Sequence, residues 1–287
     1  MKPKIPDVGL HEGIPAPEYH AWHAAHFSAL KEFRFTPLHV YQYLTDPPES
    51  TPAMALGTAL HTAVLEPDLF DALYVRGAAG ALNRKGPREE NERIKLENPG
   101  KELIRYDDWP KIMRMQEAVW KHPAARELLS GAGIFEASAV WHDDATGILC
   151  KARVDRIGMT GDGWPCAIDL KTFGDRGGRL TPRAIEGAIY DYHYHIQGAH
   201  YLSGLNTIAP CERRFLLLFI EKEPPHGCRL VEIDLGSLEL GRRQLRRWMR
   251  LLKQCQDSGE WPGWSTGFDT MGVPSFAFKD EPEDEEG

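Results

Sequence analysis

"VDRIGMTGDGWPCAIDLKTF", Val154 to Phe173, reads as a β-hairpin. Two arms of alternating apolar and polar residues flank Thr160-Gly161-Asp162-Gly163, a run of turn-forming residues. A symmetric turn at Asp162 sets Asp155 opposite Asp169 and Arg153 opposite Lys171, unless a bulge shifts the register. Carboxylates facing each other across a ladder repel, so either one is protonated or a cation sits between them. Asp169 and Lys171 share one strand face, and Ile168 and Leu170 share the other. Mg²⁺ takes few protein carboxylates and leaves room for phosphate oxygens. The pair therefore suits phosphoryl chemistry. The Lys171 ammonium would neutralise a phosphate or help position and deprotonate an attacking water. The plainer alternative is ion pairing, Asp155 with Arg156 or Arg153 and Asp169 with Lys171, which a lone D-x-K tripeptide would favour.

Outward from the hairpin, "EASAVWHDDATGILCKAR" (Glu136–Arg153) extends the alternation into a meander of three strands, with a turn at Asp144 to Gly147. Pro182 to about Leu205 has a long helical pattern. "FLLLFIE" (Phe215–Glu221) is a continuous apolar run, as for a central strand covered on both faces. "CRLVEIDL" alternates again, and a basic helix follows with Leu245, Trp248, Met249 and Leu252 on its apolar side. Upstream, Pro52 opens a helix whose stripe is Leu56, Leu60, Ala63 and Val64, and Pro67 closes it. His61 lies one turn after Gly57, beside that stripe. Residues 107–130 are helical in pattern, through Trp109, Ile112, Met115 or Met113, Val119 and Trp120. Residues 80–101 are polar and read as a mobile arm or a solvated helix. The expectation is one α/β (α+β) domain over 1–279 with a helical N-terminal part, then an acidic tail, 280–287.

The chain's 287 residues, 42% hydrophobic and 26% charged, fit a soluble globular protein. There is no run of about 20 apolar residues, and "MKPKIPDVGL" has no apolar signal core. No membrane role and a cytoplasmic location are the expectation. Five cysteines, an odd number without a CxxC pair, argue against a disulfide framework and against zinc or iron–sulfur sites. The net charge of −8 falls to −2 without the six acids of the tail. Arg242, Arg243, Arg246, Arg247, Arg250 and Lys253 gather on the last helix, as a polyanion-binding surface or a solvated face. The tail is either solubilising or a DNA mimic that competes for basic surface.

Asp155 followed by Asp169-Leu170-Lys171 resembles the PD-(D/E)xK nuclease superfamily, with Val154 for its proline and Asp169 for the commoner glutamate. "GTALHTAVLEP" around His61 resembles the histidine-bearing helix of the RecB-like branch, and Gln197 and Tyr201 form its Q-x-x-x-Y pair. With "EYHAWHAAHFSALKEFRFTPLHVYQYL" and "GEWPGW", nearly the whole chain outside the arm and the tail is similar to RecE-type exonuclease domains. The resemblance implies a restriction-endonuclease-like core, a central mixed sheet flanked by helices. It implies His61, Asp155, Asp169 and the Leu170 carbonyl as metal ligands and Lys171 as the catalytic lysine. Gln197 and Tyr201, on one helix face, would contact the DNA backbone or steady the site, and Glu136 would serve a second metal or support. The implied activity is Mg²⁺-dependent exonuclease action, Mn²⁺ substituting, on linear double-stranded DNA, 5′-to-3′, in recombination or repair. The implied assembly is a homo-oligomeric ring working with a single-strand annealing protein. A non-catalytic DNA-binding or assembly protein, and an endonuclease or RNA-directed enzyme of the same superfamily, are the alternatives.

Three other features read less sharply. His193, His195 and His200 cluster, yet on one continuous helix His193 and His195 would face opposite ways and share no metal. "FGDRGG" lacks the spacing of a phosphate-binding loop and reads as a flexible loop beside the site. Tyr190, Tyr192 and Tyr194 either stack bases near a frayed end or are ordinary core and surface tyrosines.

Overall fold

The computed structural model describes residues 5–80, 84–174 and 177–274. An edge strand, β1 (Gly9–His11), leads into the short helices α1 (Ala16–Ala21) and α2 (Phe27–Leu30), a 3-10 turn (Lys31–Arg34) and α3 (Pro37–Thr45). Helix α4 (Pro52–Leu65) starts where its chemistry dictates: the Thr51 hydroxyl accepts the Met54 N–H at 3.2 Å, and Pro52 fills the first turn. Pro67 has no N–H to continue α4 and instead opens α5 (Pro67–Leu73). A small parallel pair, β2 (Tyr74–Arg76) and β3 (Glu102–Ile104), brackets α6 (Lys85–Glu97). Then come α7 (Asp108–Lys121) and α8 (Pro123–Ser130). The meander is β4 (Gly133–His142), β5 (Leu149–Met159) and β6 (Pro165–Phe173). Helices α9 (Pro182–Asp191) and α10 (Tyr194–Ile208) cross over to β7 (Arg214–Glu221), and β8 (Cys228–Glu232) and α11 (Leu235–Ser258) close the fold.

The six-stranded sheet runs β1-β4-β5-β6-β7-β8; only β6 and β7 pair in parallel, as their helical crossover requires. One face carries Trp141, Val154, Ala167, Phe215, Leu217 and Phe219 under α9, α10 and α11. The other carries Cys166, Ile168, Leu170, Leu216, Leu218 and Ile220 under α4, α7 and α8. Both faces of β7 are therefore dry, which explains its unbroken apolar run. Helix α10 lies very close to the sheet. A Cβ at Gly198 would overlap the Phe215 ring, and one at Gly204 the Trp141 indole. That approach brings the polar residues of α10 within reach of β6.

The sequence reading needs correction in places. Pro182 to Leu205 is not one helix: His193 adopts φ 59° and breaks it into α9 and α10. His193 and His195 consequently do not face opposite ways but meet edge to face, ring centres 6.2 Å apart. Of the two readings of the polar stretch 80–101, the solvated helix is the one observed, over Lys85–Glu97. Exposed pairs Lys85–Glu89 and Arg88–Glu92 line the helix, and buried Asn91 accepts the Ala78 N–H at 2.7 Å. On α11, Leu245, Trp248, Met249 and Leu252 are buried as expected. Arg242 and Arg246 are both paired with Glu239. The acidic tail, and Asp175 and Arg176 of the glycine-bearing loop, lie outside the described residues. Among the described residues no helix is long and apolar enough to cross a membrane.

Buried histidine makes the fold acid-sensitive. His200 packs on Trp141 at 4.8 Å and bonds through Nε2 to the Lys151 carbonyl at 3.1 Å. Burial pushes its pKa down to about 4. Below about pH 6.5 the unfolded chain takes up a proton that the fold excludes, so stability falls as pH falls toward 4. Urea titrations at pH 7.5 and pH 5 check this: over that interval the His200→Gln protein should lose about 2 kcal/mol less than the parent.

Candidate active site

The β5–β6 hairpin has the register the turn residues imply, from Met159 against Pro165 to Arg156 against Ile168. Regular pairing then stops. The next position would set Asp155 against Asp169; instead the Asp155 carboxylate turns and accepts the Leu170 N–H at 2.7 Å. Arg153 does not meet Lys171. It pairs with Ser138 on the other side, in β4.

The cause lies in the β4–β5 ladder. Phe135 pairs with Arg156 and Ala137 with Val154, so Glu136 and Asp155 fall opposite each other. Glu136 has φ 49°, a left-handed conformation that costs a non-glycine residue about 1–3 kcal/mol. Side-chain alternation slips there. Val154 and Ile157, three residues apart, pack on the same face, and Phe135 and Ala139, four apart, pack on opposite faces. A slip of one residue moves side chains across the sheet, and here it gathers the acids at a gap in the ladder.

Helix α4 reaches that gap from one side. His61 Nδ1 lies 3.3 Å from Asp155 Oδ2, and Nε2 donates to the Leu170 carbonyl at 3.1 Å. One donor atom each from His61, Glu136 and Asp155 lie within 4.8 Å of one another. Helix α10 reaches β6 from the other side. Gln197 Nε2 donates to Asp169 Oδ1 at 2.7 Å and to the Tyr201 hydroxyl at 2.9 Å. Lys171 Nζ is 2.5 Å from Asp169 Oδ2. Every sequence-predicted residue is thus in one neighbourhood. Gln197 is 5% exposed, so of its two expected roles, steadying Asp169 is the one this burial favours over touching a DNA backbone.

Electrostatics follows from burial. Burial works against a charged His61, but Asp155, with Glu136 and Asp169 behind it, raises its pKa to about 9. Burial would lift Asp155, yet His61, Lys171 and the Leu170 amide hold it below the usual carboxylate range. Burial pushes Asp169 up against the pull of Lys171, and Asp155 adds to the rise. Glu136 is pushed up by burial and Asp155 against the pull of Arg153. Burial also works against the Lys171 ammonium, but Asp169, Tyr194 and Asp155 together more than offset it and the group stays charged.

A hard divalent cation fits these residues. The donors are carboxylate oxygens and an imidazole nitrogen, with a backbone carbonyl beside them. His61 carries the proton that a bound cation would displace. The buried Gln197 Oε1 also has no hydrogen-bond partner among the described residues.

Sequence reasoning missed the supports. Arg153 holds Glu136 at 2.5 Å and the Ile14 carbonyl at 2.7 Å. Buried Lys151 donates to the Tyr19 and Trp22 carbonyls, both at 2.8 Å. Two β5 cations therefore clamp the N-terminal segment, and one of them reaches the site. The sequence offered Arg153 only a pairing with Asp155, two positions on, and nothing in its spacing pointed to Glu136 or to the N-terminal carbonyls.

Residues 26–271 match the family model of a PDDEXK-like domain of unknown function (DUF3799). A crystal structure of a "Putative exonuclease" from Eubacterium rectale superposes with a TM-score of 0.59 at 12% identity. The match covers 94% of this chain and 99% of that one. The fold shared with it is restriction-endonuclease-like, a mixed central sheet between helices. No curated protein matches the sequence.

Cation binding has a readout independent of catalysis. Excess Mg²⁺ or Mn²⁺ over an EDTA control should raise the melting temperature, because a ligand of the folded state stabilises it by mass action. Asp155→Asn should abolish the rise; an equal rise in both proteins would place the ion elsewhere.

Proposed function

We propose that this chain, which belongs to the family of PDDEXK-like domains, is a divalent-metal-dependent nuclease that hydrolyses DNA phosphodiester bonds. One observation carries the reading: at a break in the ladder His61 and Glu136 gather around Asp155, and Asp169 with the charged Lys171 lies on the adjacent strand, where the Asp155 carboxylate reaches the Leu170 amide. A divalent cation held by Asp155 and Asp169, with His61, Glu136 and the Leu170 carbonyl at hand, would activate water and stabilise charge developing on a phosphate.

The protein's own groups do the rest. The Lys171 ammonium is held between Asp169 and the Tyr194 ring, whose centre is 4.7 Å away. A fixed cation in a low-dielectric site stabilises the extra negative charge of a phosphoryl transition state without reorganising. Because it stays charged, Lys171 acts here as an electrostatic group and hydrogen-bond donor. Gln197, fixed in turn by Tyr201, fixes the Asp169 carboxylate, and such outer supports sharpen ligand geometry. None of these groups is arranged to read base edges, so cutting would be independent of sequence.

The finer reading rests on the resemblance alone. It comprises Mg²⁺ with Mn²⁺ substituting, 5′-to-3′ digestion of linear duplex, and a ring-shaped homo-oligomer. A single-strand annealing partner and a cytoplasmic place in recombination or repair complete it.

Incubation of linear duplex and covalently closed circles with Mg²⁺ tests the activity. Linear DNA should be consumed while circles survive; cut circles would make the enzyme an endonuclease. Lys171→Ala should lower the rate by about 10²–10³-fold, and full activity in that variant would overturn the mechanism.

A further inference from the structure

Helix α11 carries a charge that the hydrolytic site does not use. It holds six cations, Arg242, Arg243, Arg246, Arg247, Arg250 and Lys253, against two acids, Glu239 and Asp257, in a chain whose net charge is −8. Both acids are taken: Glu239 pairs with Arg242 and Arg246, each at 3.3 Å, and Asp257 with Lys253. Arg243, Arg247 and Arg250 have no acid within ion-pair distance among the described residues. They recur at intervals of four and three, so they form one row, opposite the buried Leu245, Trp248, Met249 and Leu252. Between Arg242 and Leu251 every exposed residue is an arginine. Like charges at this spacing destabilise a helix, and the packing of α11 uses its other side. Such a row fits a surface whose counter-charge comes from a ligand.

The row starts beside the hydrolytic site, through direct contacts. Lys171 Nζ lies 4.7 Å from the centre of the Tyr194 ring, and Tyr194 opens α10 directly after His193. The His193 ring meets the Trp248 ring of α11 with centres 5.9 Å apart. His195 Nε2 bonds Gln244 Oε1 at 2.8 Å. A Cβ at Gly241 would overlap the His195 carbonyl, so the two helices meet here backbone to backbone. Arg243 and Arg247 each precede one of these contact residues, Gln244 and Trp248, and stand exposed at the same corner.

The face selects its partner by charge. It offers no exposed apolar side chain between Arg242 and Leu251 to enter a membrane or anchor a protein. Arginine forks match phosphate oxygens. Arg243 to Arg250 spans roughly 10 Å of helix at about 1.5 Å per residue. Duplex DNA presents about six phosphate charges over that length, one per ~1.7 Å of its axis.

We propose that the exposed face of α11, Arg243, Arg246, Arg247 and Arg250, is a phosphate-binding surface that holds duplex DNA beside the hydrolytic site. The inference rests on the nuclease reading for the identity of the polyanion. Phosphate contacts carry no sequence information, so this hold is independent of base sequence.

Binding without turnover tests it: anisotropy of a fluorescein-labelled blunt duplex with the full chain, in EDTA, over a range of NaCl. Arg243→Gln, Arg247→Gln and Arg250→Gln combined should make the slope of log K against log salt shallower by about 2.7, three contacts at about 0.9 each. The parent's advantage over this variant should then shrink about 40-fold between about 50 and 200 mM NaCl. Arg247→Gln alone should account for about 0.9 of the slope, so the test does not depend on the triple variant folding. The three corresponding Lys substitutions should keep the slope while losing affinity, since Lys retains the charge but not the fork. Lys85→Gln, Arg88→Gln and Lys95→Gln on α6 remove as much charge elsewhere and should leave the slope unchanged. Equal slopes in the parent and both α11 Gln variants, or an equal fall in the α6 variant, would overturn the proposal. So would an α11 variant that binds duplex like the parent but loses binding to polyglutamate, which would assign the face to an acidic protein. If the α11 variants lose the slope while the parent digests no DNA, the surface survives and the nuclease reading fails. If the parent digests linear duplex and the α11 variants bind it unchanged, the nuclease reading survives and the surface fails.

Discussion

Three carboxylates gathered at one break in a β-ladder, Asp155 and Asp169 buried and Glu136 half-buried, are the constraint on which the rest of the structure depends. Glu136 and Asp155 face each other across β4 and β5, and Asp169 lies one strand further on. Like charges so placed repel, and burial makes each costlier. The chain meets them with three cations, one from each of three directions. His61 comes from α4, Arg153 from β5 itself, and Lys171 from the same strand as Asp169. The left-handed Glu136 is part of this arrangement, since it makes the slip that turns the acids toward one another. Strain of this kind persists where the surroundings over-determine it.

The layered fold makes the convergence possible. β6 is covered on both faces, so its even residues Ile168 and Leu170 seal against α4 and α7 while its odd residues meet α10. His61 reaches the break from the first layer, and Gln197 and Tyr201 reach it from the second. The bare backbone of α10 at Gly198 and Gly204 brings that helix down onto Phe215 and Trp141. A thicker residue at either place would lift Gln197 away from Asp169. The N-terminal segment also belongs to the site, because the Ile14 carbonyl shares Arg153 with Glu136.

Much of this was legible in the sequence for physical reasons. Turn chemistry at Thr160 to Gly163 fixed the hairpin register, and period-two alternation set Asp169 and Lys171 on one face. The stripe of α4 oriented that helix, but only the family resemblance tied His61 to strands about a hundred positions away. The ladder break was not legible, since a left-handed Glu136 carries no glycine or asparagine to announce it. The same holds for His193, which splits a helix inside a pattern with no proline. The clamps made by Lys151 and Arg153 depend on carbonyls near residues 14–22, and no spacing rule links those to β5.

The central claim is that the gap in the ladder between Asp155 and Asp169 is a cation site. Diffraction from Mn²⁺-soaked crystals, recorded at the manganese absorption edge, tests it most directly. The account predicts an anomalous peak bounded by Asp155, Asp169 and the Leu170 carbonyl, with His61 and Glu136 beside it. A fully loaded crystal with no peak there, or with its strongest peak at another acidic cluster, would contradict it.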